Sequence, residues 1–140
     1  MDNLKNRARR LLHKVFVYGS LKKGFINDGL LNDSQFVGKG ETSLKKYTMF
    51  NLGAFPAVAL GGTDSIKGEV YAVNGRTLAQ LDRLEGNGHF YTRKPTRVGE
   101  EICWMYIINT PNQYRLIHDE TVPNGNWKLN DESDFTLKNV

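Results

Sequence analysis

The chain has one cysteine, Cys103, in 140 residues. A single thiol excludes an internal disulfide framework and fits a reducing compartment, so a cytoplasmic protein is expected. Long apolar runs are also missing. None approaches the roughly 20 residues that a membrane-crossing helix needs, so no membrane association is expected. The charged N-terminus is not followed by the apolar stretch of a secretory signal. Neither GxGxxG nor GxxxxGKS/T occurs, and GKGET (38–42) is too short for the second, which removes the common phosphate-cradling loops. Histidine is scarce and scattered, at His13, His89 and His118, and offers no close ligand spacing for zinc. No metal or cofactor is therefore expected. Cys103 sits inside ICWMYII and reads as a small buried hydrophobe rather than as half of a cysteine–histidine pair.

What is present is enough for one folded domain. Apolar residues make up 39% and aromatics 11%, which supports a packed core rather than a disordered chain. The net charge of +4 is not spread over the molecule. Residues 1–14 carry Lys5, Arg7, Arg9, Arg10 and Lys14 against Asp2, and the remainder is balanced. A nucleic-acid surface is therefore not expected. The basic leader reads as a solvated, partly helical extension, or as a contact to an anionic partner or a second subunit. Residues 15–140 read as a single domain.

Along that domain, VFVYGS (15–20) is the first strand, with Val15 and Val17 opposite Phe16 and Tyr18. FINDGLLNDS (25–34) is a short helix or ordered loop. QFVGKGET (35–42), KKYTMFNLG (45–53), AFPAVAL (54–60) and IKGEVYAV (66–73) read as short strands, with GGTD (61–64) as a turn. RTLAQLDRLEG (76–86) forms the one clear helix, capped by Asn74 or Thr77 and ended by Gly86, with Leu78, Leu81 and Leu84 as its apolar face. HFYTRKPTRV (89–98) is a strand whose proline argues for an edge position or an interruption. EICWMYIIN (101–109) is the most hydrophobic segment and the expected central strand. Many short strands around one helix imply an α+β domain with a curled or barrel-like mixed sheet and short packed helices.

Carboxylates are the remaining source of chemistry. Glu85 stands out because it ends the helix immediately before a glycine, one turn after Asp82. It is either a solvated helix-end acid or a group leaning over the edge of the core. Tyr18-Gly19-Ser20-Leu21 raises a similar pair of readings: an ordinary strand exit, or the rim of a small-molecule pocket.

YGSL after the first strand, a GEVY strand, LDRLEG and a following FYTR together resemble the gamma-glutamylcyclotransferase-like superfamily, in particular its compact gamma-glutamylamine cyclotransferase branch. LKKG, FPAV and a late GNW extend the likeness from Val15 to Trp127. The resemblance implies a mixed sheet closed into a small barrel with helices around it. It implies a pocket built partly by Tyr18, Gly19, Ser20 and Leu21, a catalytic acid at Glu85, and Tyr91 lining the same pocket. The implied reaction is an intramolecular acyl transfer on a small gamma-glutamyl substrate, releasing 5-oxoproline and a free amine without a cofactor. A module that keeps the fold but only binds a small anion or a partner is the alternative. The family often has asparagine–histidine after the LKKG-like residues, where this chain has Asn27-Asp28; that departure bears on the pocket mouth and not on the acid. Arg93 supplies positive charge near the pocket or points to solvent.

Overall fold

The computed structural model describes residues 12–19, 28–53, 55–109 and 121–127. In chain order these form β1 (His13–Val17), a 3₁₀ turn (Asp28–Leu31), β2 (Gln35–Glu41), β3 (Tyr47–Asn51), β4 (Pro56–Leu60), β5 (Lys67–Val73), α1 (Gly75–Glu85), β6 (Tyr91–Val98), β7 (Glu101–Ile108) and a second 3₁₀ turn (Pro123–Gly125). The α+β class follows directly.

Five strands make one mixed sheet in the order β2-β5-β1-β7-β6, and β3 and β4 pair as a separate two-stranded sheet. β1 runs antiparallel to β5 and parallel to β7. The sheet centre is therefore β1; the more hydrophobic β7 is an inner strand beside it, not the middle one. Pro95 lies in β6, which is an edge strand, where a missing N–H is tolerated.

Side-chain alternation sorts the core onto the two faces of this sheet. Val15 and Val17 of β1 join Tyr71, Val73, Tyr91, Tyr106 and the helix residues Leu78 and Leu81 on one face. Phe16 and Tyr18 join Met49, Val70, Cys103, Met105 and Ile107 on the other. β4 serves both, giving Ala57 and Ala59 to the first cluster and Val58 to the second.

The expected closed barrel is not formed. β2 and β6 are the two edges of an open sheet. Among the described residues they meet at one end, through an isolated Thr42–Val98 bridge and a hydrogen bond from the Ser43 N–H to the Arg97 carbonyl at 2.8 Å. After that bridge the chain leaves the edge to build the separate β3–β4 pair, and Pro95 withholds a donor from the middle of β6. A continuous closing ladder has nothing to propagate along. Among the described residues the helical elements are one α-helix and two 3₁₀ turns. Among the described residues, no helix is long and apolar enough to cross a membrane.

Candidate active site

The site is built at the end of β1 by the helix that returns across the first face of the sheet. β5 ends at Val73, which pairs with His13 at the start of β1. Asn74 then starts α1 at once: its side-chain oxygen accepts the Thr77 N–H at 2.8 Å, satisfying one of the helix's free donors. Leu78 and Leu81 fasten the helix to the core, and Leu81 is fully buried. Leu84, expected on the same face, is instead 43% exposed. Gly86 stops the helix in the left-handed conformation, φ 62 and ψ 48, which a glycine adopts without the clash a β-carbon would bring. Glu85 is thus the last helical residue, carried to the Tyr18 end of β1.

There its charge is felt by three phenols. Tyr18, Tyr91 and Tyr106 are all buried, and each titrates above the ordinary phenol range because burial disfavours its anion; the charge of Glu85 adds to the shift in all three. Burial likewise pushes the Glu85 carboxyl up to about 7. A group poised there exchanges a proton readily near neutrality.

The phenols are held by hydrogen bonds of their own. Tyr18 donates to the Tyr106 carbonyl at 2.5 Å and Tyr91 to the Pro56 carbonyl at 2.7 Å. Tyr106 donates to Asp82 Oδ1 at 2.6 Å. The Asp82 carboxylate also receives Arg93 in a two-point contact, Nε to Oδ1 at 2.8 Å and Nη2 to Oδ2 at 3.2 Å. The guanidinium lies 4.3 Å over the Trp104 ring. Arg93 therefore faces neither open solvent nor an empty pocket; it is tied to the helix turn that carries Glu85.

Of the residues singled out from sequence, Glu85, Tyr18 and Tyr91 come together. Gly19 follows Tyr18 and runs against Pro56 so closely that a β-carbon there would stand 2.9 Å from the proline Cγ and Cδ. Its close approach is to Pro56, whose carbonyl holds Tyr91. Ser20 and Leu21 lie outside the described residues. Tyr106 and Pro56 were not anticipated. Tyr106 is embedded in an apolar strand, and its register partner Arg93 was the one available hint. Among the described residues, no group of three or more histidine, cysteine, aspartate or glutamate side chains is placed to hold a metal ion. Cys103 is a free, buried thiol, pushed up to about 11 by burial first and by the charge of Glu101 second.

Residues 15–129 match the family model described as gamma-glutamyl cyclotransferase, AIG2-like. The chain belongs to this family. A Vibrio cholerae protein named as a candidate gamma-glutamylcyclotransferase is 37% identical over 115 residues, covering 82% of this chain and 95% of that protein. Gamma-glutamylcyclotransferase family protein YtfP of Escherichia coli K12 is 34% identical over 98 residues, covering 70% of this chain and 84% of its own length. The solution structure of Escherichia coli ytfP superposes with a TM-score of 0.62 at 30% identity, over 86% of this chain and 98% of that one. An AIG2-like protein of Mus musculus shares the fold, with a TM-score of 0.74 at 23% identity over 88% of this chain and 92% of that one. The matched span of the cyclotransferase family contains the YGSL turn, Glu85 and Tyr91.

Proposed function

We propose that this chain is a cyclotransferase that converts a gamma-glutamyl amine or gamma-glutamyl amino acid into 5-oxoproline and a free amine, with Glu85 as its acid–base residue. The observation that carries the reading is the Glu85 carboxyl, pushed up to about 7 by burial among Tyr18, Tyr91 and Tyr106 in a chain of this family.

The substrate's α-nitrogen attacks its own side-chain carbonyl, so a C–N bond closes a five-membered ring and the C–N bond to the leaving amine breaks. Nucleophile and electrophile share one molecule, and holding it in ring-closing geometry captures much of the advantage of intramolecular reaction. The protons must also balance. The α-ammonium gives up two on becoming a lactam N–H, and the departing nitrogen gains two on leaving as an ammonium. A carboxylate that accepts near neutrality takes a proton from the attacking nitrogen and returns one to the leaving nitrogen. No redox partner or metal enters this balance.

Tyr18 and Tyr91 line the glutamyl stem in this reading. Backbone N–H groups of Gly19, Ser20 and Leu21 receive the substrate carboxylate or the oxyanion that develops at the attacked carbonyl. The free, buried Cys103 is the support for placing the protein in the cytoplasm.

The test is mass-spectrometric detection of 5-oxoproline after incubation with gamma-glutamyl-epsilon-lysine, simple gamma-glutamyl amino acids and glutathione. The preferred compound identifies the leaving group. A glutaryl analogue without the α-amine must give no product, because it cannot close the ring. Hydrolysis of that analogue would point to a different acyl transfer at the same site. Binding of gamma-glutamyl compounds with no turnover would replace the enzyme reading with a binding module.

A further inference from the structure

Each of the three phenols beside Glu85 has already committed its proton. A phenol has one O–H, and those of Tyr18, Tyr91 and Tyr106 go to the Tyr106 carbonyl, the Pro56 carbonyl and the Asp82 carboxylate. What each hydroxyl has left is lone pairs. A carboxylate accepts hydrogen bonds and cannot donate them, so these oxygens do nothing to hold Glu85 as an anion. Two of the three acceptors are backbone carbonyls that no side-chain substitution removes. The third is a side chain on the same helix as Glu85, one turn earlier.

That side chain also holds a cation of β6. Arg93 makes a two-point contact with Asp82 and is backed by the Trp104 ring. Among the described residues, the remaining titratable or charged groups towards the Glu85 end of α1 are Tyr18 after β1, Tyr91 on β6, Tyr106 on β7, and the exposed Arg83 and His89 on and just after α1. Pro56 and Ala57 of β4 and Leu31 of the first 3₁₀ turn add no charge.

We propose that Asp82 is a positioning residue of the Glu85 site: it holds the Arg93 cation and the Tyr106 hydroxyl proton on its own carboxylate and so keeps both off Glu85. The inference rests on Glu85 being the working acid–base group and deepens that reading. Without Asp82, a cation and a hydrogen-bond donor become available to stabilise the Glu85 anion, which then accepts a proton less readily. Without Arg93, Asp82 stands as an unmatched negative charge one turn from Glu85 and disfavours the same anion.

The two losses therefore act in opposite directions, and that sign difference is the test. The carboxyl carbon of Glu85 is followed by ¹³C NMR titration in the parent protein, Asp82→Asn, Arg93→Met and the double variant. Asp82→Asn should move the Glu85 midpoint down by roughly half to one pH unit, and Arg93→Met should move it up by a similar amount. The double variant, lacking both charges, should return close to the parent. Arg93→Lys keeps the charge while losing the two-point contact, and its midpoint should stay with the parent. That variant guards against a poorly folding Arg93→Met. Lost packing alone lowers thermal stability in every variant without opposed midpoints. Shifts of the same sign, or none, would overturn the proposal. NMR reads protonation and not turnover, so the outcome is separable from any failure of the cyclotransferase reading. In active protein the acid limb of kcat/KM should follow the same two directions.

Discussion

Replacing Glu85 with glutamine should stabilise the protein, and by more as the pH rises. The folded carboxyl titrates at about 7 against an ordinary value of 4.5, with burial as the cause. The folded state therefore binds this proton more tightly than the unfolded chain does. Its stabilising contribution is complete below the unfolded value and is lost as pH rises through the folded one. At about 1.4 kcal/mol per pH unit, the gap sets a ceiling of about 3.5 kcal/mol. Glu85 keeps partial contact with water, which screens the effect, so about 2 kcal/mol is expected. Glutamine is nearly the same shape and has no charge to desolvate. Urea unfolding of parent and Glu85→Gln at pH 4.5, 5.5, 6.5 and 7.5 measures this directly. The two stabilities should almost coincide at the lowest pH, and the variant should gain steadily up to neutrality. A constant difference, or a gap that narrows with rising pH, would refute the desolvated-acid argument.

Tyr91→Phe removes the donor to the Pro56 carbonyl, 2.7 Å away in a buried setting, and should cost about 1–2 kcal/mol in urea unfolding along with a loss of 5-oxoproline formation. Gly19→Ala forces a β-carbon to within 2.9 Å of the Pro56 ring; if Gly19 borders the site as proposed, it should lower kcat/KM in a steady-state assay more than it lowers thermal stability. Leu81→Ala deletes a fully buried helix anchor and should cost about 2–5 kcal/mol, read as a lower urea midpoint with an unchanged slope.

Local chemistry was legible in the sequence wherever a few neighbouring residues decide the outcome. The alternation in VFVY assigned Val15 and Val17 to one face and Phe16 and Tyr18 to the other, since strand geometry leaves no other choice. Asn74 and Gly86 bounded the helix because capping is settled within a turn. Pro95 left an edge position or an interruption open, and β6 turned out to be an uninterrupted edge strand. Closure of the sheet is a different kind of question. It depends on whether β2 and β6, distant in sequence, lie side by side along their length, and no local residue sets that distance. Arg93 shows the same limit at the site. Alternation leaves the guanidinium on one face or the other, but its partner Asp82 is supplied by helix–strand packing. Tyr106 was hidden because a hydroxyl inside CWMYII looks like one more core aromatic until Asp82 is brought above it. Glu85 was singled out from its place before Gly86 and from the family likeness; its environment became visible only with the three phenols in place.

The central claim is that Glu85 carries protons for ring closure. It is tested most directly by comparing 5-oxoproline release, on the best gamma-glutamyl compound found, between the parent and Glu85→Gln, with the fold of both verified by circular dichroism. The account predicts product from the parent and a loss of at least about 100-fold in the variant, the scale of general acid–base catalysis. Equal product from both would contradict it and clear Glu85 of the role.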